Sequence, residues 1–361
     1  MLWAGCLSFV LCVLLVCTKD WHGKLSMDFT HGVQKFHTAP TPRVGGLPVV
    51  LGFSGACFLA QGELKPMLTN ILLAGLPAFV FGLAEDLTKR VSVLQRLLAT
   101  MASGVLAWWL TGYSITHVGV VGVDGLLGLT LVSVLFTAFA VGGVANAINI
   151  IDGFNGLAST ASTLAFLGYG AIAYLAGDTT LAWASSILAA CVFGFFLVNW
   201  PFGKIFLGDG GSYFIGFALA WVAVELIERN PTVSPFAALL VCAHPVTEVL
   251  FSIYRRKIRK EHPGMPDRLH FHSLVKRRYV LRWFSNFSLT NCNSITGLLV
   301  GWMNLVPIVL AALTYTSNGW SAVAFVAMGL LYVAIYARMV RHHWCSPLQF
   351  LLYRPASRVE V

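Results

Sequence analysis

Asn146-Ala-Ile-Asn-Ile-Ile-Asp-Gly-Phe-Asn-Gly-Leu157 is a polar interruption between two long apolar runs. Amides, a carboxylate and two glycines crowded into so short a span are foreign to a buried core helix. Asn and Asp beside glycine read first as a turn, so a plain loop between apolar spans is the simplest interpretation. Glycine also lets backbone approach a ligand closely. Asn146, Asn149 and Asp152 recur at three-residue spacing, which places them along one side of a helix end. Read this way, the stretch is a pocket wall that offers amides and one carboxylate.

Outward from this stretch the chain is apolar. Of its 361 residues, 57% are hydrophobic and 11% charged, where soluble domains carry about 25% charged residues. A mean hydropathy of +0.75 leaves an all-α, polytopic membrane bundle as the fold class. The net charge of +9 then calls for a location on a membrane protein rather than a nucleic-acid partner. The eight cysteines carry no Cys-x-x-Cys pair, so they read as small hydrophobes rather than a zinc site or disulfide framework. About 20 apolar residues cross a bilayer. Eleven candidate spans follow, near 2–18, 45–61, 67–84, 93–111, 126–144, 157–176, 181–199, 212–228, 234–253, 295–314 and 319–337. The first is read as an uncleaved span, because no basic residue precedes Leu2–Cys17 while Lys19 and Lys24 follow it. Without a visible repeat or soluble segment, residues 1–361 form a single transmembrane domain.

With eleven spans, the loops on one face hold all but Lys65 and Arg229 of the 24 Lys and Arg. The positive-inside rule makes that face cytoplasmic, with the N-terminus outside and the tail 338–361 inside. Ten of those basic residues lie between Arg255 and Arg282, in the longest loop.

Every chemically suggestive cluster falls on that same face. Pro40-Thr-Pro-Arg43-Val-Gly-Gly46 is a shaped loop in which Arg43 presents a guanidinium fork suited to phosphate. Gly82-Leu-Ala-Glu85-Asp86-Leu-Thr-Lys89 sets two carboxylates at a span end, where they need a partner or a metal. Phe206-Leu-Gly-Asp209-Gly-Gly-Ser212 exposes backbone around one acid at a helix start, a place suited to anions or to a hard cation. Asp267-Arg268-Leu-His270-Phe-His272-Ser273 groups charge and imidazole inside the basic loop. Glu248, within an apolar span, either serves function or pairs with a basic residue of that loop, and His244 reads as packing.

These stretches, in this order from about residue 30 to 275, resemble the signatures of the polyprenyl-phosphate N-acetylhexosamine-1-phosphate transferases. That superfamily includes phospho-MurNAc-pentapeptide translocases and undecaprenyl-phosphate GlcNAc-1-phosphate transferases. Three positions depart from its pattern: Glu85 and Asn155 stand where Asp is usual, and Ser273 where a further His often stands. The last two spans carry no motif.

The resemblance implies that a polyprenyl phosphate attacks a UDP-N-acetylhexosamine, releasing UMP and starting a cell-surface polymer such as O-antigen. It implies catalytic roles for Glu85, Asp86, Asp152, Asp209 and His270. Arg43, Lys89, Asn146, Asn149, Asn155, Phe206, Arg268 and His272 would bind substrate. Asp209, helped by Asp86, would hold Mg2+, with Mn2+ as a stand-in. The site would face the cytoplasm from a bacterial inner membrane, and a homodimer is left open. The lipid phosphate, with a second pKa of about 6, favours direct attack over a covalent Asp-phosphate, with Asp86 or Glu85 orienting the nucleophile. Two other readings stand beside this one: a secondary transporter for an anionic solute, and a family member that has lost activity.

Overall fold

A computed structural model describes residues 1–28, 40–260 and 269–341. It is a helical bundle, as the composition requires. The helices are α1 (Leu2–Cys17), α2 (Lys19–Ser26), α3 (Gly46–Leu59), α4 (Leu64–Thr88), α5 (Val93–Thr111) and α6 (Val123–Leu127). They continue with α7 (Thr130–Ile151), α8 (Leu157–Leu175), α9 (Thr179–Asn199), α10 (Gly208–Arg229), α11 (Pro235–Val241) and α12 (Ala243–Ile258). The last are α13 (Phe271–Val275), α14 (Leu281–Trp283), α15 (Leu289–Met303), α16 (Leu305–Thr314) and α17 (Asn318–Arg341). A π-helical turn, Lys276–Val280, joins α13 to α14. One departure from all-α is the antiparallel pair β1 (Met27–Asp28) and β2 (Thr41–Pro42).

Among the described residues, seven helical segments are long and apolar enough to cross a membrane, or eight with α11 and α12 taken as one bent span. α1 and α3 are apolar but shorter. α8 carries Ser159, Thr160, Ser162 and Thr163, which lower its hydropathy. Each of the eleven expected stretches is helical, with shifted limits.

The expected span 126–144 is α7, which runs on to Ile151 and so carries Asn146 and Asn149. The expected span 212–228 begins earlier, at Gly208, which brings Asp209 into the first turn of α10. The span expected at 234–253 is broken, with α11 and α12 meeting at 81°. Pro245 sits in the first turn of α12 and cannot donate the backbone bond that would continue α11. The expected span 295–314 starts at Leu289 and is divided at Asn304, whose amide donates to the carbonyls of Val300 and Gly301.

α10 is the central post: 94% of its membrane-length window is buried. It is apolar around its whole circumference, as expected of a helix surrounded by protein. Its Tyr213, Phe214, Phe217 and Trp221 are among the largest fully buried side chains. α3, α4, α5, α7, α8 and α9 all pack against it. By contrast, α17 buries only Ser321, Tyr332, Tyr336 and Met339.

Candidate active site

The N-terminal end of α10 is where four distant segments meet. Gly208 has a φ of +77°, and a Cβ there would lie 2.5 Å from Asp86 Oδ2, so only glycine fits. This close approach brings the Asp86 carboxylate under the helix start. Oδ1 accepts from Asp209 N at 2.9 Å and Oδ2 from Gly210 N at 2.9 Å. Asp86 thus caps α10 from another helix, satisfying two of the backbone donors that every helix start leaves open.

The loop before α3 threads across the same point. Phe206 N donates to Pro42 O at 2.8 Å, and Gly45 N and Gly46 N donate to Phe206 O and Leu207 O at 2.8 Å each. Phe206 therefore acts through its backbone here. Arg43 is aimed by this pairing: Nε lies 3.2 Å from Asp86 Oδ1 and Nη2 2.5 Å from Asp209 Oδ1.

Arg96 completes the cluster by pairing through Nη1 with Asp209 Oδ2. Its guanidinium stands 5.8 Å from the Tyr213 ring centroid. Charge location alone had absorbed this arginine into the positive face of the membrane. One signal does point to it. Ser92 and Gln95 form a capping box that starts α5. A cation one residue later, in the first turn of a helix, is disfavoured by the helix dipole unless an anion meets it.

α7 supplies the amides. Asn149 Nδ2 donates to Asp209 Oδ1 at 3.2 Å and Ser212 Oγ at 2.9 Å, and Tyr213 OH donates to Asn149 Oδ1 at 3.4 Å. Asn146 bonds back to Gly142 O at 2.8 Å, one turn earlier. Asp209 and Asp86 are only 2% and 3% exposed, so their charges are held by these partners rather than by water.

Glu85 is turned elsewhere: Oε2 accepts from Val91 N at 2.8 Å and closes the turn after α4. Lys89 sits in that turn as the left-handed C-cap of α4, with φ 57°.

Asp152 ends α7 and is half-buried. Burial pushes its carboxyl up to about 7, with Arg43 opposing the rise and Asp86 adding to it. The following turn carries the histidine contact. The His272 ring meets Phe154 edge-on at 5.1 Å and stacks with His270 at 5.4 Å. A Cβ on Gly153 would lie 2.9 Å from His272 Nε2. Lys276 stands over the other part of the same ring, 5.3 Å from the Phe154 centroid, and burial pushes its ammonium down to about 8. Lys276 had no motif to mark it.

Asn155 is placed differently from a pocket wall. It is buried and donates to Ser294 Oγ at 3.1 Å, so it fastens this turn to α15. Glu248 takes the paired alternative, with His270 Nδ1 at 2.8 Å from Oε1. His244 is a packing residue between Phe271 and Tyr332. Arg268 lies outside the described residues.

The donor set at α10 is made of hard oxygens: the carboxylates of Asp209 and Asp86 and the side-chain carbonyl of Asn149. Among the described residues no three His, Cys, Asp or Glu form a ready metal shell. That combination fits magnesium, which keeps several waters and takes one or two carboxylates plus substrate phosphates.

Comparison with known proteins agrees with the geometry. The profile of glycosyl transferase family 4 matches residues 68–227, from α4 to the far end of α10. An undecaprenyl-phosphate alpha-N-acetylglucosaminyl 1-phosphate transferase of Salmonella typhi is 31% identical over 253 residues, spanning 68% of this chain and 67% of that protein. The enzyme of the same name from Yersinia pestis is 25% identical over 316 residues, 86% of this chain and 83% of its own. That from Haemophilus influenzae is 29% identical over 188 residues, 50% of this chain and 49% of its own.

Proposed function

The chain belongs to glycosyl transferase family 4, the polyprenyl-phosphate sugar-1-phosphate transferases, and from that premise we propose that it transfers an N-acetylhexosamine-1-phosphate from a UDP-sugar to a membrane polyprenyl phosphate. The carrying observation is the convergence of Arg43 and Arg96 on Asp209, at a helix start that Asp86 caps. Phosphoryl transfer asks little covalent chemistry of a protein. It needs positioning, and positive charge around the transferring group.

In the proposed step an oxygen of the lipid phosphate attacks the β-phosphorus of the UDP-sugar. The bond from that phosphorus to the bridging oxygen breaks, and UMP leaves with the electron pair. One phosphoanhydride is exchanged for another, so the reaction is reversible. Arg43, Arg96 and Lys89 neutralise the diphosphate from the α10 side. His270, His272 and Lys276 do so from the side of the Phe154 turn. Arg268 joins them on the strength of the family resemblance alone.

Asp86 and Glu85 are occupied by backbone donors, so the group best suited to take a proton from the lipid phosphate is Asp152. Its carboxyl, near 7, accepts a proton from a phosphate whose second pKa is about 6. Asp209, with oxygens of Asp86 and Asn149 nearby, would hold Mg2+. Bound there, the ion would supply electrostatic stabilisation of the developing charge.

The site faces the cytoplasm of a bacterial inner membrane in this reading, because an eleven-span topology puts all but Lys65 and Arg229 of the 24 basic residues in or beside the loops of one face. UDP-N-acetylglucosamine is the first donor to test, since the relatives are named as alpha-N-acetylglucosaminyl 1-phosphate transferases. Purified enzyme, a polyprenyl phosphate, magnesium and the donor are expected to yield UMP in equal amounts to glycolipid. UDP as the stoichiometric nucleotide product would refute the mechanism, because it would mean a sugar rather than a sugar phosphate had moved.

A further inference from the structure

α17 is the helix least owned by the protein interior, yet it turns two tyrosines inward four residues apart. Tyr332 OH donates to Glu248 Oε2 at 2.7 Å. Glu248, fully buried on α12, also accepts from His270 Nδ1 at 2.8 Å and from Phe271 N at 3.2 Å. A carboxylate only accepts, so His270 carries its proton on Nδ1 and turns Nε2 away from Glu248. Tyr336 OH donates to Leu269 O at 2.9 Å and accepts from Arg255 Nη1 at 3.0 Å. Four consecutive residues, Leu269 to His272, are thereby tied down. Leu269 is held by Tyr336, and His270 and Phe271 by Glu248 with Tyr332. His272 is held by its stack on His270 and its edge on Phe154.

We propose that Tyr332 and Tyr336 of α17, with Glu248 as the shared acceptor, are positioning residues. They fix His270 and His272 against the turn that follows Asp152. The last span is on this account a working part of the site and not only a lipid-facing wall. The inference rests on the reading of the two histidines as phosphate-facing groups.

Tyr332→Phe removes a donor from the buried carboxylate that holds His270 and is expected to lower kcat roughly tenfold or more. The KM for the UDP-sugar should change by less than about twofold, since the tether shapes the transition state more than ground-state binding. In a His270→Ala background the same substitution should cost almost nothing further, because its effect passes through that imidazole. Tyr336→Phe, which cuts the Leu269 tether alone, should give a smaller loss of the same kind. Hydrogen exchange of the peptide spanning 269–275, measured on the full-length protein without substrate, should accelerate in both phenylalanine variants. An equal tenfold loss of kcat from Tyr332→Phe in both backgrounds would overturn the proposal. So would unchanged exchange across 269–275 in a folded variant. If wild-type protein made no glycolipid from any UDP-N-acetylhexosamine, the functional reading would fail, and the exchange measurement would still decide the tether.

Discussion

Two aspartate–arginine contacts sit at opposite ends of α10, about 30 Å apart along its axis. At the far end Arg229 forks onto Asp178, with Nε at 2.7 Å from Oδ2 and Nη2 at 3.1 Å from Oδ1. Asp178 also caps α9 through Leu181 N at 3.0 Å. Burial raises its carboxyl, and Arg229 with the Leu181 N–H outweighs that, leaving it below its ordinary value. One acid meets one base, and both have a local structural task. At the near end two guanidiniums converge on the carboxylate of Asp209, and Arg43 also reaches Asp86, which at the same time caps the helix backbone. Two arginines there answer two buried acids through shared contacts, beside an amide and a carboxyl that burial pushes up to about 7. A buried ion pair on its own is weak evidence of function. The difference lies between a closed pair at one end and a shared network at the other, where each charge has more than one partner.

The sharpest way to break this contrast is to neutralise each acid. Asp209→Asn is expected to lower kcat by about a thousandfold or more, from the loss of several kcal/mol of transition-state stabilisation. The protein should still elute as a folded species. Asp178→Asn should leave kcat within about threefold and lower the melting temperature instead. A tenth of the activity surviving in Asp209→Asn would equate the two ends and remove Asp209 from the machinery.

Next in size is Arg96→Gln, expected to reduce kcat/KM by about a hundredfold, the usual effect of deleting one charge-stabilising donor. An effect under about threefold would return Arg96 to the background of positive-inside residues.

Asp152 sharpens the contrast through pH. Its folded pKa of about 7 lies above the ordinary 3.8. The folded state therefore binds the proton more tightly than the unfolded state, and the associated stability is present at low pH. It is lost as pH rises from 3.8 through about 7. As a proton acceptor Asp152 must be ionised, so kcat/KM should climb with pH and level off above about 7. Asp152→Asn should lower the plateau and abolish that limb, along with the pH-dependent part of the melting temperature. A limb that survives in the variant belongs to another group.

The smallest effect belongs to Glu85→Asp, expected to change kcat by less than about threefold. Its carboxylate serves the Val91 turn, and the shorter acid keeps the charge at that position. A larger loss would place Glu85 among the reacting groups.

The bundle was legible in the sequence because apolar length and charge position are local properties. Nine of the eleven expected stretches differ from observed helices mainly at their ends, two are divided, 234–253 at Cys242 and 295–314 at Asn304, and seven or eight of the described segments are long and apolar enough to cross a membrane. Asp209, Asn149 and Arg43 were legible as types suited to phosphate and metal. What could not be read was which charge answers which. The cap from Asp86 to α10 crosses 123 positions, and the Arg96 pair crosses 113. Neither leaves a periodic trace. Asn155 looked like a pocket amide because its neighbours are, yet its partner is Ser294, 139 residues away. Tyr332 and Tyr336 were hidden for a different reason. In an apolar span a tyrosine passes as lipid-facing or interfacial until something shows where its hydroxyl goes.

The burial of α10 also bears on how the chain reaches its final form during synthesis. A helix with almost no lipid-facing surface, and with Asp209 and Glu225 inside it, is a poor passenger in bare hydrocarbon. Six of the helices that pack against it, α3, α4, α5, α7, α8 and α9, precede it in the chain, while α11, which also touches it, follows. The ribosome therefore delivers the sleeve before the rod. Translation arrested just after residue 230 should already protect α10 from protease, whereas deleting α7 and α8 should leave the same segment exposed or misrouted at the translocon.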